Sequence, residues 1–312
     1  PSLSPVNARL ASIFKAAVIK ETGKPIEIEE KKIATNLNTV EENSLLFPDT
    51  NFPGRFWKKG RTFPDEQIVV GDRVAGLSLE SFGGLAEQCV LDKDDVWRIP
   101  SELDKKDVAV IVYGHSTAIY AFAKLSSLKE NERVMISAGP AGLGLAAVDV
   151  AANIYKTKVI GLVDDQKLAE LVRNSGAFET LTFNEKLNKQ CMKITENKGV
   201  QVVYDAAGGH MTETIGSCVS AGGKVFYASP IFYQTIPAPK PHSFATILSL
   251  KELRRQNMNM YKTVVSDTLE LANEGLIGAH VSAKFSLSQI NDAVKFIEDK
   301  KCTGKVVIHI DE

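Results

Sequence analysis

Residues 139–144 read Gly-Pro-Ala-Gly-Leu-Gly and differ at one position from G-x-G-x-x-G, the loop that binds the pyrophosphate of a dinucleotide. Ala141 stands where the second glycine of that motif lets the backbone approach the pyrophosphate closely. The loop follows a buried-strand pattern at 133–138 and opens a helical pattern at 142–155, which is the context that the motif requires. We predict a weakened dinucleotide site here, and a tight turn that binds nothing is the alternative. The predicted cofactor-binding residues of this loop are Gly139, Pro140, Ala141, Gly142, Leu143 and Gly144.

A pair of carboxylates follows the next predicted strand. Asp164 lies 20 residues beyond Gly144, where a carboxylate accepts hydrogen bonds from both ribose hydroxyls and repels a 2′-phosphate. Asp165 adds a second negative charge beside it. This position favours NAD over NADP. A helix N-cap is the alternative role and is compatible with the first, because the pair precedes a helical pattern that begins near Gln166.

Strand and helix patterns alternate between residues 133 and 228, which predicts βαβ units and a parallel sheet covered by helices on both faces. The N-terminal part instead shows short strand patterns broken by glycine, proline and charged turns, as in a compact antiparallel barrel. These patterns lie at 15–20, 25–30, 67–77 and 84–91. Beyond the proline-rich loop we predict helices at 243–262, 268–274 and 288–300, and a last strand at 304–310.

The composition favours no charged partner. The chain carries 37 basic and 38 acidic residues, a net charge of −1, so no global field attracts nucleic acid or a membrane surface. The basic stretch at 251–256 is a local exception. No apolar run reaches the length of roughly 18–20 residues that spans a bilayer. We therefore expect no nucleic-acid partner and no membrane span.

The four cysteines lie far apart and follow no C-x-x-C spacing, which predicts a reduced, intracellular protein without a disulfide framework or zinc knuckle. The first 20 residues carry Arg9, Lys15 and Lys20 but no acid. We expect a cytoplasmic protein with an ordinary basic tail. A transit segment, and with it the mitochondrial matrix, is the alternative.

Several segments in a fixed order carry a family resemblance. They are "VGDRVAGL" at 70–77, "GGLAEQCV" at 83–90, "STAIYAF" at 116–122, "AGLGLAAVDVA" at 141–151, "VVYDAAGG" at 202–209 and "TGKVVI" at 303–308. On these segments the chain resembles the quinone oxidoreductase branch of the medium-chain dehydrogenase/reductase superfamily.

The resemblance implies an α/β fold: a Rossmann doubly wound parallel sheet plus a GroES-like β-rich domain built from both chain ends. The implied domains are a GroES-like substrate domain at 1–108 and 276–312 and a Rossmann domain at 109–275, with the active site in the cleft between them. The resemblance also implies NADPH-dependent reduction of quinones or enones by hydride transfer without zinc. The chain has no G-H-E segment and no clustered cysteines, which agrees with that zinc-free branch.

Three positions depart from the family pattern where it binds the 2′-phosphate of NADPH. Leu168 stands in place of the phosphate-pairing lysine, although Lys167 is one step away, and Asp164 replaces a small residue. Phe183 replaces the tyrosine beside the adenosine phosphate. Lost attraction and added repulsion near a phosphate favour NADH over NADPH, with tight binding of neither as the alternative.

The resemblance implies further site residues, each with a structural alternative. Asn38 would lie near the nicotinamide or be a turn residue, and the Thr117 hydroxyl would lie near the nicotinamide or inside a helix. His115 would donate a proton to a quinone oxygen or enolate, but we favour a histidine on the helix surface. The remaining cofactor-binding candidates are three residues at strand ends beside the cleft and one lysine: Gly208, Ala228, Ser229 and Lys305. For the lysine we favour an exposed position on the last strand.

Two functions stay open. The first is an NAD(P)H-dependent reductase of a small-molecule quinone or enone, and the second is a weakened or inactive relative that acts as a binding or structural protein. We expect a monomer or a non-standard homodimer. The family's dimer pairs sheet edges, and the matching segment, 250–260, is predicted to be helical with Arg254 and Arg255 set against their symmetry mates.

Overall fold

The computed structural model of the chain describes residues 13–18, 24–32, 72–79, 84–86, 91–138, 142–209, 211–228, 243–299 and 301–310. Five predicted site residues lie outside these ranges. They are Asn38, Gly139, Pro140, Ala141 and Ser229.

The described strands fall into one large sheet and three small ones. In chain order they are β1 (Ile13–Val18), β2 (Glu27–Lys32), β3 (Val74–Gly76), β4 (Val96–Arg98), β5 (Arg133–Ser137), β6 (Lys158–Val163), β7 (Glu179–Thr182), β8 (Val200–Asp205), β9 (Val219–Tyr227), β10 (Phe244–Ile247), β11 (Val281–Ser286) and β12 (Lys305–His309).

The described α-helices lie mostly between the strands of the large sheet. They are α1 (Lys105–Ile119), α2 (Leu143–Asp149), α3 (Gln166–Asn174), α4 (Leu187–Ile194), α5 (Thr212–Gly216), α6 (Leu250–Gln256), α7 (Met258–Asn273) and α8 (Ile290–Glu298). π-helical turns at Tyr120–Ser126 and Val150–Ile154 extend α1 and α2.

The large sheet is parallel throughout, in the order β10-β9-β8-β5-β6-β7. This is the doubly wound Rossmann order, and its direction reverses between β5 and β8, where such sheets bind ligands beyond the carboxyl ends of their strands. Neighbouring residues of β5 point to opposite faces: Ile136 joins the core with α1, α2, α3 and α7, whereas Met135 joins the core with α4 and α5. The predicted Rossmann sheet is confirmed.

The two chain ends meet in a separate small core, as the GroES-like arrangement requires. Asn291 on α8 donates its amide to the Ile26 carbonyl (2.9 Å) and accepts the Ile26 N–H at Oδ1 (2.7 Å). Ile26 is buried in one cluster with residues of α8 and β12. β1 pairs with β2 and β3 with β4, both antiparallel, and β11 pairs with β12 in parallel.

Helix α1 and its π-helical turn form one apolar run, Lys105–Ser126, which is long and apolar enough to cross a membrane by length and composition. The expectation that no apolar run reaches this length was therefore wrong. However, 72% of its most apolar window is buried inside the protein, where α1 packs against α2 and α7. Such burial is typical of the core helix of a globular domain.

The helix predicted at 243–262 was wrong at its start. Phe244–Ile247 forms β10, an edge strand parallel to β9, and α6 begins only after Ser249, whose hydroxyl accepts the Glu252 N–H (3.2 Å). Aromatic and β-branched residues favour the strand, and the serine cap sets the helix start. Within the described residues, the edge of the sheet therefore lies before the 250–260 segment.

Arg254 does not face outward as the dimer argument assumed. Its Nε lies 2.7 Å from Asp95 Oδ1, and the same oxygen accepts the Tyr261 hydroxyl at 2.9 Å. Lys262 pairs with Asp94 at 2.5 Å. Arg254 and Lys262 thus anchor the acidic turn before β4, and of the two arginines expected to repel their symmetry mates only Arg255 is exposed.

Candidate active site

The residues of the glycine loop that the structure describes build a tight strand–helix junction. Gly142 is the N-cap of α2 with a φ of 73°, a left-handed conformation that favours glycine. A Cβ added to Gly144 would lie 2.4 Å from the carbonyl oxygen of Ser137, so only glycine fits there. Close helix–strand packing is the role of the third glycine in dinucleotide-binding loops. Leu143 is buried at the start of the helix.

Lys305 lies beside the N-terminus of α2. It is 3% exposed, and its Cδ and Cε carbons would be 3.3 Å from a Cβ added to Gly142. The expectation of an exposed strand lysine was therefore wrong. A helix N-terminus carries partial positive charge and N–H donors, and Lys305 adds an aliphatic stem and an ammonium group next to it. This combination is suited to phosphate oxygens.

Asp205, the last residue of β8, holds the chain in place where the strand order changes direction between β5 and β8. Its Oδ1 accepts hydrogen bonds from the Ser137 hydroxyl (2.7 Å) and the Gly208 N–H (3.0 Å), and its Oδ2 accepts one from Thr212 (3.0 Å). The Ser137 oxygen accepts the Ala206 N–H (2.8 Å) in turn. Gly208 is held at a φ of 71°, beyond the carboxyl end of β8.

Our sequence predictions did not include Asp205 and Ser137. A signal was available in the sequence: each is the polar last residue of an otherwise mostly apolar strand. A polar group buried at a strand end requires hydrogen-bond partners. Ala228 follows β9 and donates its N–H to the Asp205 carbonyl (2.8 Å). The described ends of β5, β8 and β9 are thus joined around one buried carboxylate.

The predicted adenosine subsite divides into surface and core residues. Asp164 and Lys167 are exposed beyond β6, and Asp165 caps α3 by accepting the Leu168 N–H at 2.8 Å. Leu168 is only 5% exposed and belongs to the main core. Its side chain therefore packs inward and offers no polar group to a phosphate, and the replacement of the family's phosphate-pairing lysine by Leu168 stays a prediction. Phe183 is partly buried against the second core.

The two predicted residues of α1 are both engaged inside the protein. The Thr117 hydroxyl donates to the Tyr113 carbonyl (2.7 Å), as a helix-interior threonine does. His115 is 3% exposed, so the expected helix-surface position was wrong. Its Nε2 lies 3.0 Å from Asp149 Oδ2 and its Nδ1 lies 3.2 Å from the Ile111 carbonyl oxygen. Neither ring nitrogen is left for a substrate, which contradicts the proposed proton donor.

A cavity of about 300 Å³ runs along α2, and we call it the α2 groove. Its lining includes Gly142, His115, Asp149, His280, Gly304 and Lys305. The groove therefore joins three predicted residues, Gly142, His115 and Lys305. Asp164, Phe183 and Gly208 do not line it and lie at the carboxyl ends of the strands instead.

Metal-ligating side chains do not gather in the part of the chain that the structure describes: no group of three or more His, Cys, Asp or Glu residues could hold an ion there. Cys191, Cys218 and Cys302 are buried.

Comparisons with known proteins agree with this architecture. Residues 142–274 match the protein family described as zinc-binding dehydrogenase. The structure of Escherichia coli quinone oxidoreductase complexed with NADPH superimposes with a TM-score of 0.69 at 22% identity, over 78% of this chain and 77% of that one. The family match and the shared fold agree with the resemblance to the medium-chain dehydrogenase/reductase superfamily.

Over most of its length, the chain is similar to quinone oxidoreductase-like protein 2. It is 29% identical to the homolog from Nematostella vectensis over 330 residues, which cover 95% of this chain and 89% of that protein. It is 27% identical to the protein from Bos taurus over 329 residues, which cover 97% and 92%.

Proposed function

We propose that this protein is an NAD(P)H-dependent oxidoreductase that transfers hydride to a quinone or an α,β-unsaturated carbonyl compound without zinc. One observation carries the proposal: the Lys305 side chain packs against Gly142, the N-cap of α2, just beyond the carboxyl end of β5. A buried lysine beside a helix N-terminus fits the doubly charged pyrophosphate of a dinucleotide.

The residues around this point have separate parts in the proposal. Gly142 and Gly144 let the helix start close to the strand, Lys305 supplies positive charge, and Asp205 holds the turn through Gly208. The bound nicotinamide supplies the hydride. The protein contributes position and exclusion of water rather than an acid–base pair, because His115 and Thr117 are already hydrogen-bonded within the structure.

NADH is the cofactor that we favour. Asp164 is an exposed carboxylate at the end of β6, where it would accept the ribose hydroxyls and repel a 2′-phosphate. Lys167, also exposed, is the single cation among the predicted residues of this subsite. The solved structure of Escherichia coli quinone oxidoreductase with NADPH supports a nicotinamide cofactor, while the choice between NADH and NADPH rests on Asp164.

The test is titration of the protein with NADH and NADPH, followed by cofactor oxidation in the presence of a benzoquinone or a simple enone. Lys305→Met keeps the length of the aliphatic stem and removes the charge, so cofactor affinity should fall about tenfold or more. Lys284→Met, on the exposed side of β11, is the matched control and should bind normally. Activity should survive chelation of metals.

Different results would contradict different parts of the proposal. Absence of nucleotide binding at millimolar cofactor would overturn it. Cofactor binding without oxidation by any quinone or enone would support the inactive relative instead. Loss of activity on chelation, restored by zinc, would show that the zinc-free mechanism is wrong.

A further inference from the structure

One carboxylate joins three elements of the α2 groove. Asp149 ends α2, and its side chain is 14% exposed. Its Oδ2 lies 3.0 Å from Nε2 of His115 on α1 and also accepts the Gly278 N–H at 2.9 Å, from the segment that leads into β11. Its Oδ1 accepts the amide of Asn153 at 2.7 Å. We call these four residues the Asp149 clasp.

The neighbours of Asp149 favour its charged form. Burial alone would raise the pKa of Asp149, but the hydrogen bond and charge of His115, the Gly278 N–H and the Asn153 amide outweigh it and lower that pKa. Both ring nitrogens of His115 lie within hydrogen-bond distance of oxygen atoms, Nε2 of Asp149 Oδ2 and Nδ1 of the Ile111 carbonyl. The hydride transfer proposed above uses none of these groups.

The segment held by Asp149 also holds the predicted cofactor lysine. The His280 carbonyl accepts the Lys305 N–H at 3.1 Å. A Cβ added to Gly304 would lie 2.2 Å from Cδ2 of His280, so the ring and the backbone of this glycine are in close contact. The Lys305 stem then packs against Gly142 at the other end of α2.

Helix α2 is therefore tied at both ends to the same neighbouring segments. Its seven residues span about 10 Å. Asp149 holds residues 278–280 at its C-terminal end, and these residues position 304–305 against its N-terminal end. A change in the position of Gly278 relative to α2 would move Lys305 relative to Gly142.

We infer that Asp149 is a positioning residue for cofactor binding: by holding Gly278, it keeps Lys305 at the N-terminus of α2, where the pyrophosphate is proposed to bind. This inference rests on the proposed function. Asp149 does not touch the cofactor and acts only through the clasp.

The experiment compares Asp149→Asn with the unaltered protein. An asparagine keeps the volume but has one acceptor oxygen, so it cannot accept from His115, Gly278 and Asn153 together. NADH and NADPH affinities should both fall about threefold to tenfold, since the pyrophosphate is common to both and a charged contact is weakened. The KM for the cofactor should rise by the same factor with kcat little changed.

Controls separate positioning from a general loss of stability. Glu170→Gln neutralises an exposed carboxylate on α3 and should leave affinity unchanged. Asp149→Glu keeps the charge and should retain more affinity than Asp149→Asn. Hydrogen exchange of the Gly278 amide should accelerate in Asp149→Asn and be normal in Glu170→Gln, which is a readout independent of cofactor and substrate.

The outcomes distinguish this inference from the function on which it rests. If the unaltered protein binds no nicotinamide nucleotide, both are overturned. If it binds one, and folded Asp149→Asn binds it equally well, only the positioning role is overturned. If Asp149→Asn does not fold, Asp149→Glu takes its place in the test. The positioning role is then overturned if the Gly278 amide exchanges faster in Asp149→Glu while its cofactor affinity equals that of the unaltered protein.

Discussion

Asp95→Asn should destabilise the protein strongly, because this carboxylate serves two donors at a buried junction. The Asp95 side chain is 5% exposed, and its Oδ1 lies 2.7 Å from Arg254 Nε and 2.9 Å from the Tyr261 hydroxyl. The Arg254 side chain is 16% exposed. The hydrogen bond to Asp95 and nearby carboxylates raise the pKa of Arg254, against the opposite effect of burial.

The magnitude follows from these contacts. Breaking a buried ion pair by removing one partner costs about 3–5 kcal/mol. Arg254 also has Asp92 at 3.7 Å, and the new amide can still accept one hydrogen bond, so we expect the lower end, about 3 kcal/mol. At about 2–4 °C per kcal/mol, the melting temperature should fall by about 6–12 °C.

The assay is urea unfolding followed by fluorescence and circular dichroism, with thermal melting alongside. Asp95→Asn, Arg254→Met and the double variant form a cycle whose coupling energy isolates the pair. Arg255→Met is the matched control: its partner Glu252 is half-exposed at 3.1 Å, so the cost should stay below about 1 kcal/mol. The Asp95–Arg254 contact is not an anchor if Asp95→Asn is as stable as the unaltered protein. The same holds if Arg254→Met and Arg255→Met lower the free energy of unfolding equally.

Three further predictions concern the cofactor site and the Asp149 clasp. Asp164→Ser should raise the affinity for NADPH relative to NADH by about tenfold, because a screened like-charge repulsion of about 1–2 kcal/mol disappears. Glu170→Ser is the control. Tight NADPH binding by the unaltered protein would contradict the reasoning. Gly144→Ala places a methyl against the Ser137 carbonyl, so unfolding should become easier by about 1–3 kcal/mol and cofactor binding should be lost. The folded-state pKa of Asp149 lies below its ordinary value of 3.8, so its stabilisation is complete above that value and is lost as pH falls through the folded pKa. The stability gap between the unaltered protein and Asp149→Asn, from urea titrations, should therefore be wide at pH 7 and narrow in strong acid.

The Rossmann part of the fold was predictable because its signals are local. β5 and β6 are nearly continuous apolar runs bounded by polar residues, which is typical of parallel strands covered on both faces. The helix at 166–174 shows the same kind of signal: Leu168 shares a helical face with Val172, and both are buried. That period already predicts a core position for Leu168.

Other features could not be predicted because their partners are distant in the chain. Arg254 and Asp95 are 159 positions apart, and His115 and Asp149 are 34 apart on different helices. A charged residue in a helix gives no local sign of whether it faces solvent or a buried carboxylate. β10 was misassigned for a related reason, since four residues beside a helical pattern are too few to show a strand period.

Two carboxylates, the buried Asp95 and the partly buried Asp149, connect the Rossmann sheet and its helices to the flanking β-rich segments. Asp95 in the N-terminal part meets Arg254 and Tyr261 of the helical layer, and Asp149 of the helical layer meets Gly278 in the C-terminal part. Two surfaces that meet only through apolar contacts can slide past each other, whereas a hydrogen-bonded charge requires one geometry. Buried polar groups fix the register of coiled coils in the same way. Since the proposed substrate site lies where these parts meet, we infer that the two anchors fix the flanking segments relative to the carboxyl ends of the sheet. The arginine that was expected to keep two subunits apart thus serves within one subunit.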